Sequence, residues 1–160
     1  MKFLVSKNIH ENPTFALLLA FYSLLLLFYF IGDLFYLSHF FGTSPSAVLS
    51  TLQGNEDEFI EPLSLLSFLE HFHISIFISI LAIFTTMAII LRLILSNAHK
   101  SFIIILSMGS VFFSALSLII SYFFIEGFVY LFILTTLIWH LSGIYSVSLT
   151  LYELGRKKKW

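Results

Sequence analysis

The chain has 160 residues, of which 59% are hydrophobic and only 11% are charged, and its mean hydropathy is +0.99. A soluble domain carries about 25% charged residues, so this composition excludes a water-soluble globular protein and places lipid around much of the chain. The net charge of −1 does not distinguish between classes of protein. The absence of cysteine excludes disulfides, thiolate metal sites, iron–sulfur clusters and covalently attached haem.

Four apolar runs predict four membrane-spanning helices. About 20 apolar residues are enough for a helix to cross the hydrocarbon, and helices are expected because lipid offers no partner for open backbone groups. The runs cover about 13–37, 68–95, 102–124 and 128–151. We therefore predict an all-α, four-helix transmembrane bundle that forms one domain over residues 1–160, with the first span mainly facing lipid.

The first span begins with Asn12-Pro13, which reads as an N-cap followed by proline at the first helical position. The run is too long for a cleavable signal peptide, and no A-x-A-like site follows it. At the other end of the bundle we expect a short turn over Asn97–Ser101 to join two helical hairpins.

The loop after the first span has its own pattern. Ser44-Pro45 favours the start of a short amphipathic helix and Gly54 favours its end, and we expect this helix on the outer membrane face. Glu61-Pro62 is then expected to open the second long helix.

The basic residues predict the orientation, because cytoplasmic loops carry an excess of Lys and Arg. The loop between the first two spans has no basic residue and is acidic instead. We therefore predict that both termini are cytoplasmic. All eight basic residues agree: Lys2, Lys7, Arg92, Lys100, Arg156, Lys157, Lys158 and Lys159.

Small and polar residues recur at helical spacing in three of the spans. Such seams let helices approach closely and form hydrogen bonds across the interface, and packing explains them better than a passage for a polar ligand. The seam of the third span consists of Ser107, Ser110, Ser114, Ser117 and Ser121, and Gly143 belongs to the seam of the fourth.

Histidines are the residues most able to carry chemistry. His140 lies near the middle of the fourth span, where a titratable group is costly and suggests a functional site; a hydrogen-bonded packing role is the equal alternative. A loose group is also expected near the outer side, as a haem or metal candidate. Its members are Asp33, His39, Glu70, His71 and His73.

Haem b is a candidate cofactor, because a membrane bundle can hold a haem between two histidines on facing helices. The seams point to His71 and His140, but their predicted depths differ by roughly 12 Å along the helix axes. Pairing His71 with His39 fits better in depth and requires a ligand from a loop. No serine-hydrolase, phosphate-loop or H-E-x-x-H pattern is present.

The order of motifs resembles a poorly characterised family of four-span bacterial inner-membrane proteins. The resemblance covers the chain from about Gly42 onward and implies a setting in bacterial envelope redox metabolism. Where the family pattern has a small hydroxyl before the first histidine, this chain has Glu70. The motifs are Gly42-x-Ser44-Pro45, Gly54, His71-Phe72-His73, Glu126-Gly127-Phe128-x-Tyr130 and Tyr152-Glu153.

Three functions follow as hypotheses. The first is a non-enzymatic inner-membrane subunit of a larger, redox-linked assembly, whose partners are lipid and either other membrane subunits or further copies of the chain. The second is a haem-binding or quinone-reactive electron-transfer protein. The third is a small oligomeric channel or proton-coupled transporter that uses the serine seam and His140. The basic tail is assigned to anionic lipid, and nucleic acid is not an expected partner.

Overall fold

The computed structural model describes residues 13–156 as five α-helices joined by short loops. Four of them are long and apolar enough to cross a membrane, which confirms the predicted all-α, four-helix bundle and makes the chain a multi-pass membrane protein. The expected N-cap Asn12 and the basic residues at 2, 7 and 157–159 lie outside the described residues. The helices are α1 (Pro13–Phe41), α2 (Pro45–Gln53), α3 (Leu65–Ile90), α4 (Asn97–Phe123) and α5 (Phe128–Gly155).

The bundle has two chemically different ends. One, here called the acidic end, is formed by the loop over 42–64 and the turn over 124–127, and the loop carries Glu56, Asp57, Glu58 and Glu61. The opposite end, here called the basic end, carries Arg92, Lys100 and Arg156.

The short helix α2 closes the acidic end. The Ser44 hydroxyl accepts a hydrogen bond from the Ala47 N–H at 3.2 Å, and the helix ends at Gly54, whose φ of +83° favours glycine. The predicted start and end are therefore correct. The apolar side of α2 is packed against the bundle, since Val48 and Leu52 are buried in one cluster with Phe68.

The start of α3 differs from the prediction. Glu61-Pro62 does not open the helix; it begins at Leu65, where the Ser64 hydroxyl accepts from the Ser67 N–H at 3.2 Å. The reason is local hydrogen bonding. The Leu63 N–H donates to the Thr51 carbonyl of α2 at 3.1 Å, which holds the preceding residues extended against α2.

The turn at the basic end also lies elsewhere. The residues expected to form it, Asn97–Ser101, are the first turn of α4, because the Ser96 hydroxyl caps that helix by accepting from the His99 N–H at 3.3 Å. The connection occupies residues 91–96 instead, and α3 ends at Ile90, before the predicted limit near residue 95.

The helices are not equally associated. α4 and α5 share the most extensive interface, α1 packs along α5, and α3 makes fewer contacts with α4 and α5. Most of α1 is exposed, yet Ser23 and Phe30 on one of its faces are fully buried. One apolar cluster fills the half of the bundle near the basic end and a second fills the acidic end, and the polar site described next lies between them.

Candidate functional site

The serine seam of α4 is buried and faces α5. The Ser107 hydroxyl donates to the Ser142 hydroxyl at 2.9 Å, and the Ser114 and Thr136 hydroxyls are bonded at 2.7 Å. Ser110 and Ser117 donate to carbonyls of their own helix, and the buried Ser121 hydroxyl has no partner among the described residues. Two of the five serines thus link the helices directly.

The most distinctive contact of the bundle joins α1 to α5. His140 is completely buried, and its Nε2 lies 3.0 Å from the Asp33 carboxylate. Its Nδ1 lies 2.7 Å from the Thr136 carbonyl oxygen, one turn earlier in α5. Both ring nitrogens are therefore hydrogen-bonded inside the protein, one to a neighbouring helix and one to the backbone of α5.

These two contacts determine how many protons the pair holds. A carbonyl oxygen only accepts, so Nδ1 must carry a hydrogen. The contact between Nε2 and Asp33 then needs one more hydrogen, carried either by an imidazolium or by a carboxylic acid. In both arrangements the pair has no net charge and holds one proton more than a carboxylate beside a neutral imidazole.

Without that hydrogen the contact would be unfavourable, because lone pairs of Nε2 and of the carboxylate would face each other at 3.0 Å. The hydrogen bonds of the pair are therefore complete only when it shares this extra hydrogen.

A central cavity adjoins the pair on the side of the acidic end. The centres of water molecules can occupy about 50 Å³ of it, so it is a small, partly open cavity. All four long helices contribute to its wall, including Asp33 from α1, His71 and Ser75 from α3, Ser114 from α4 and Thr136 from α5. Polar residues of all four long helices therefore meet around this space.

A second and wider opening separates α1 from α3. The centres of water molecules can occupy about 520 Å³ of this α1–α3 cleft, part of which is continuous with the surroundings. Asp33 lines the cleft as well as the central cavity. The other lining residues are Tyr36, Phe40, Leu63, Ser67, Glu70, His71, Ile74, Ser75 and Ile78.

His71 lies between the cleft and the cavity in an aromatic environment. Its ring is parallel to Phe40 with centroids 4.4 Å apart, and it meets Phe41 edge-on at 5.0 Å. Its Nδ1 lies 3.3 Å from the Tyr36 hydroxyl and its Nε2 lies 3.5 Å from the Ser75 hydroxyl. His71 therefore connects α1 and α3 across the cleft.

The structure separates the group of acidic residues and histidines that was expected near the outer side of the membrane. Asp33, Glu70 and His71 share the cleft, whereas His39 and His73 are exposed and are absent from its wall. Asp33 makes its hydrogen bond to His140, which the sequence pattern did not assign to it. Within residues 13–156, no three His, Asp or Glu side chains converge closely enough to hold a metal ion.

The same geometry does not fit a haem held between His71 and His140. An axial imidazole needs a ring nitrogen with a free lone pair. At His140 one nitrogen donates to a carbonyl and the other shares a hydrogen with Asp33. The buried imidazole is a hydrogen-bonded partner of a carboxylate in this arrangement.

Bulky apolar side chains pack beside the pair on the side of the basic end, where buried hydroxyls such as Ser107 and Ser142 also lie. Phe30 is fully buried and meets Trp139 edge-on, with ring centroids 5.6 Å apart. Leu26, Ile83 and Val147 belong to the same buried cluster. Asp33 lines the cavity and the cleft, and both extend toward the acidic end, where His71 lies in their walls.

The model of the Aq_1264_TM family, described as a transmembrane helical domain, matches residues 42–160. The chain belongs to this family. The matched region contains α2 to α5 and hence His140, while Asp33 lies in the preceding helix. Comparisons with curated proteins and with solved structures gave no match.

Family membership confirms the coarser part of the resemblance seen in the sequence, namely a family of proteins with transmembrane helices. Sequence patterns alone missed the partnership of Asp33 with His140 and the role of Tyr36 beside His71. One signal was present, because Asp33 is the only Asp, Glu, Lys or Arg in α1. A lone acidic residue within a span calls for a partner on another helix.

Proposed function

We propose that this protein is a proton-binding, non-enzymatic subunit of a larger, redox-linked membrane assembly. The observation that carries the proposal is the pair of Asp33 and His140, which is fully hydrogen-bonded only when it holds one extra proton. Ionisable groups inside a membrane bundle are expensive and mark proton relays in many pumps and transporters.

The hydroxyls near the pair support a binding role over a catalytic one. Ser114 and Thr136 are bonded to each other, and Ser117 and Thr135 donate to carbonyls of their own helices. A nucleophile needs an adjacent base to activate it, and these hydroxyls are already engaged elsewhere.

The packing around Phe30 and Trp139 favours a subunit over a channel. A channel needs a water-filled path, and the openings that reach Asp33 extend toward the acidic end, whereas side chains such as Phe30 and Trp139 fill the other side of the pair. A proton that enters from the acidic end therefore either leaves by the same route or is coupled to a conformational change of the bundle. A partner subunit in contact with the bundle would detect that change. We expect the partner to be a further membrane subunit or a second copy of this chain.

The proposed setting is the bacterial inner membrane with both termini inside. It rests on the distribution of charge: Arg92, Lys100 and Arg156 lie at one end and the acidic loop lies at the other, which follows the positive-inside pattern. The acidic end is then the outer end.

The proton can be observed directly in the purified protein in lipid nanodiscs. Nitrogen-15 labelling of histidine reports whether both nitrogens of His140 carry hydrogen, and infrared spectroscopy reports whether Asp33 is a carboxylic acid. We expect one of the two signatures at neutral pH. A neutral imidazole beside an ionised carboxylate would overturn the proposal.

Asp33→Asn is the matched variant for this experiment. An asparagine amide donates a hydrogen bond to Nε2 without an ionisable proton, so the contact between the helices is retained. We expect the histidine signal to become that of a neutral ring with an unprotonated Nε2, and the infrared band of the acid to be absent.

The subunit part of the proposal has its own test. The tagged protein is extracted from its native membranes with a mild detergent, and the mass of the particle is measured. We expect a complex that is larger than one chain and has a defined composition. A stable monomer without any partner would contradict this part and leave the proton site intact.

A further inference from the structure

We infer that the α1–α3 cleft is a water-filled, one-sided entrance that carries protons between the acidic end and the pair of Asp33 and His140. The inference rests on the proposed function and adds a route and a direction to it. It assigns Glu70 as the carboxylate at the mouth and Ser75 as the hydroxyl deeper inside.

The shape of the cleft supplies the first argument. α1 packs along α5, while α3 contacts mainly α4 and α5, so a gap remains between α1 and α3. The centres of water molecules can occupy about 520 Å³ of it, and one water molecule needs about 10–15 Å³ of such volume. The cleft therefore has room for a chain of water molecules.

The lining of the cleft supplies the second argument. Water remains in a cavity only where it finds polar partners, and six of the ten lining residues named above carry polar side chains. The polar residues are spread along the wall and reach inward. Ser67 and Glu70 lie near the start of α3, while Ser75 lies roughly 15 Å along the axis from Leu65 and lines both the cleft and the central cavity.

The groups around the pair define its electrostatic surroundings. From α1, Tyr29 and Tyr36 lie about one helical turn from Asp33 on either side, and Tyr36 lines the same cleft. From α3, His71 shares the cleft with Asp33, and Glu70 stands at its mouth. The walls contributed by α4 and α5 to the central cavity are hydroxyl or apolar.

Glu70 suits the mouth of a proton entrance. It is exposed, lines the cleft, and has no ion pair among the described residues, where salt bridges involve Asp33 and Glu153 only. An exposed carboxylate attracts protons from water and can release them to the chain of water molecules behind it.

The absence of cysteine allows a direct test of hydration, because any single introduced thiol is the only one in the chain. We would prepare Ser67→Cys, Ser75→Cys and Ile80→Cys, reconstitute each protein in vesicles of known orientation, and apply a membrane-impermeant, charged thiol reagent to either side. Ile80 is exposed on α3 outside the wall of the cleft, where we expect lipid, and serves as the matched control.

We expect Ser67→Cys and Ser75→Cys to react from the acidic end, at least tenfold faster than from the basic end, and Ile80→Cys to react from neither. A Ser75→Cys protein that reacts no faster than Ile80→Cys would overturn the entrance, and so would faster reaction from the basic end. Neither outcome affects the spectroscopic test of the proton on the pair of Asp33 and His140. The entrance can therefore be disproved while the proposed function stands, and the reverse also holds.

A kinetic measurement tests the assignment of Glu70. After a rapid change to deuterated buffer, the isotope shift of the pair is followed by infrared spectroscopy. We expect Glu70→Gln to slow the exchange severalfold while leaving the final spectrum unchanged, and Asp57→Asn, in the acidic loop away from the cleft, to have no effect. An unchanged rate in Glu70→Gln would remove Glu70 from the route.

Discussion

The ring of Phe30 in α1 lies directly over Gly143 in α5, so closely that a Cβ at position 143 would overlap the ring carbons. At this contact α1 and α5 approach each other closely, on the basic side of His140. Phe30 is one turn from Asp33 in the same helix. The fit of Phe30 over Gly143 thus helps to set the position of the carboxylate against the imidazole.

Gly143→Ala is expected to lower the free energy of unfolding by about 1–3 kcal/mol, the usual cost of overpacking a filled core. It should also weaken the contact between Asp33 and His140, because Phe30 has to move. The midpoint of unfolding in a denaturing detergent measures the first effect. Gly109→Ala is the control, since an added Cβ at that position in α4 meets nothing within 4 Å; a similar loss there would contradict the assignment.

Asp33→Ala and Asp33→Asn are expected to differ in stability. Alanine leaves Nε2 of the buried His140 without a partner, which costs about 1–3 kcal/mol. Asparagine retains a donor to that nitrogen, and the free energy of unfolding should stay within about 1 kcal/mol of the wild type. Unfolding of both variants in parallel gives the comparison, and equal losses would show that the hydrogen bond at Nε2 is not what stabilises this contact.

The hydroxyl pair of Ser114 and Thr136 should show a measurable coupling between α4 and α5. A double-mutant cycle with Ser114→Ala and Thr136→Val is expected to give a coupling free energy of about 0.6 kcal/mol, the average for such bonds in membrane bundles. Ser110 donates to carbonyls of its own helix. A cycle that combines Ser110→Ala with Thr136→Val should therefore give a coupling near zero.

Haem should be absent from the protein purified from cells that are well supplied with it. Both nitrogens of His140 are engaged with Thr136 and Asp33, so the imidazole lacks the free lone pair that iron requires. The absorption spectrum between the near ultraviolet and the visible checks this. A Soret band that disappears in His140→Ala and persists in His73→Ala would contradict the proposed arrangement.

The four spans and the short helix α2 follow from local sequence. Long apolar runs predict spans because lipid allows little else, and Ser44-Pro45 with Gly54 predicts α2 because caps and positive φ are decided within a few residues. The start of α3 was predicted at the wrong residue since the contact that delays it, from Leu63 to Thr51, joins residues of different elements.

The site was predicted only in part for the same reason. His140 was identified from its depth, which is a local property of the sequence. Its partner Asp33 lies 107 residues earlier in the chain and was grouped with His39 and His73, which lie nearer to it in sequence. A helical period shows which face of α1 carries Asp33, but the helix that this face meets is decided by packing of the whole bundle.

The proposed one-sided entrance would also connect the pair to the membrane voltage. A proton that reached Asp33 from the acidic end would cross part of the transmembrane field, and a full crossing corresponds to about 2.3 kcal/mol per 100 mV. A potential that is negative at the basic end would then favour the protonated pair without any change in bulk pH. The half-buried carboxylate and the buried imidazole would respond to the energised state of the membrane as well as to the acidity at the acidic end.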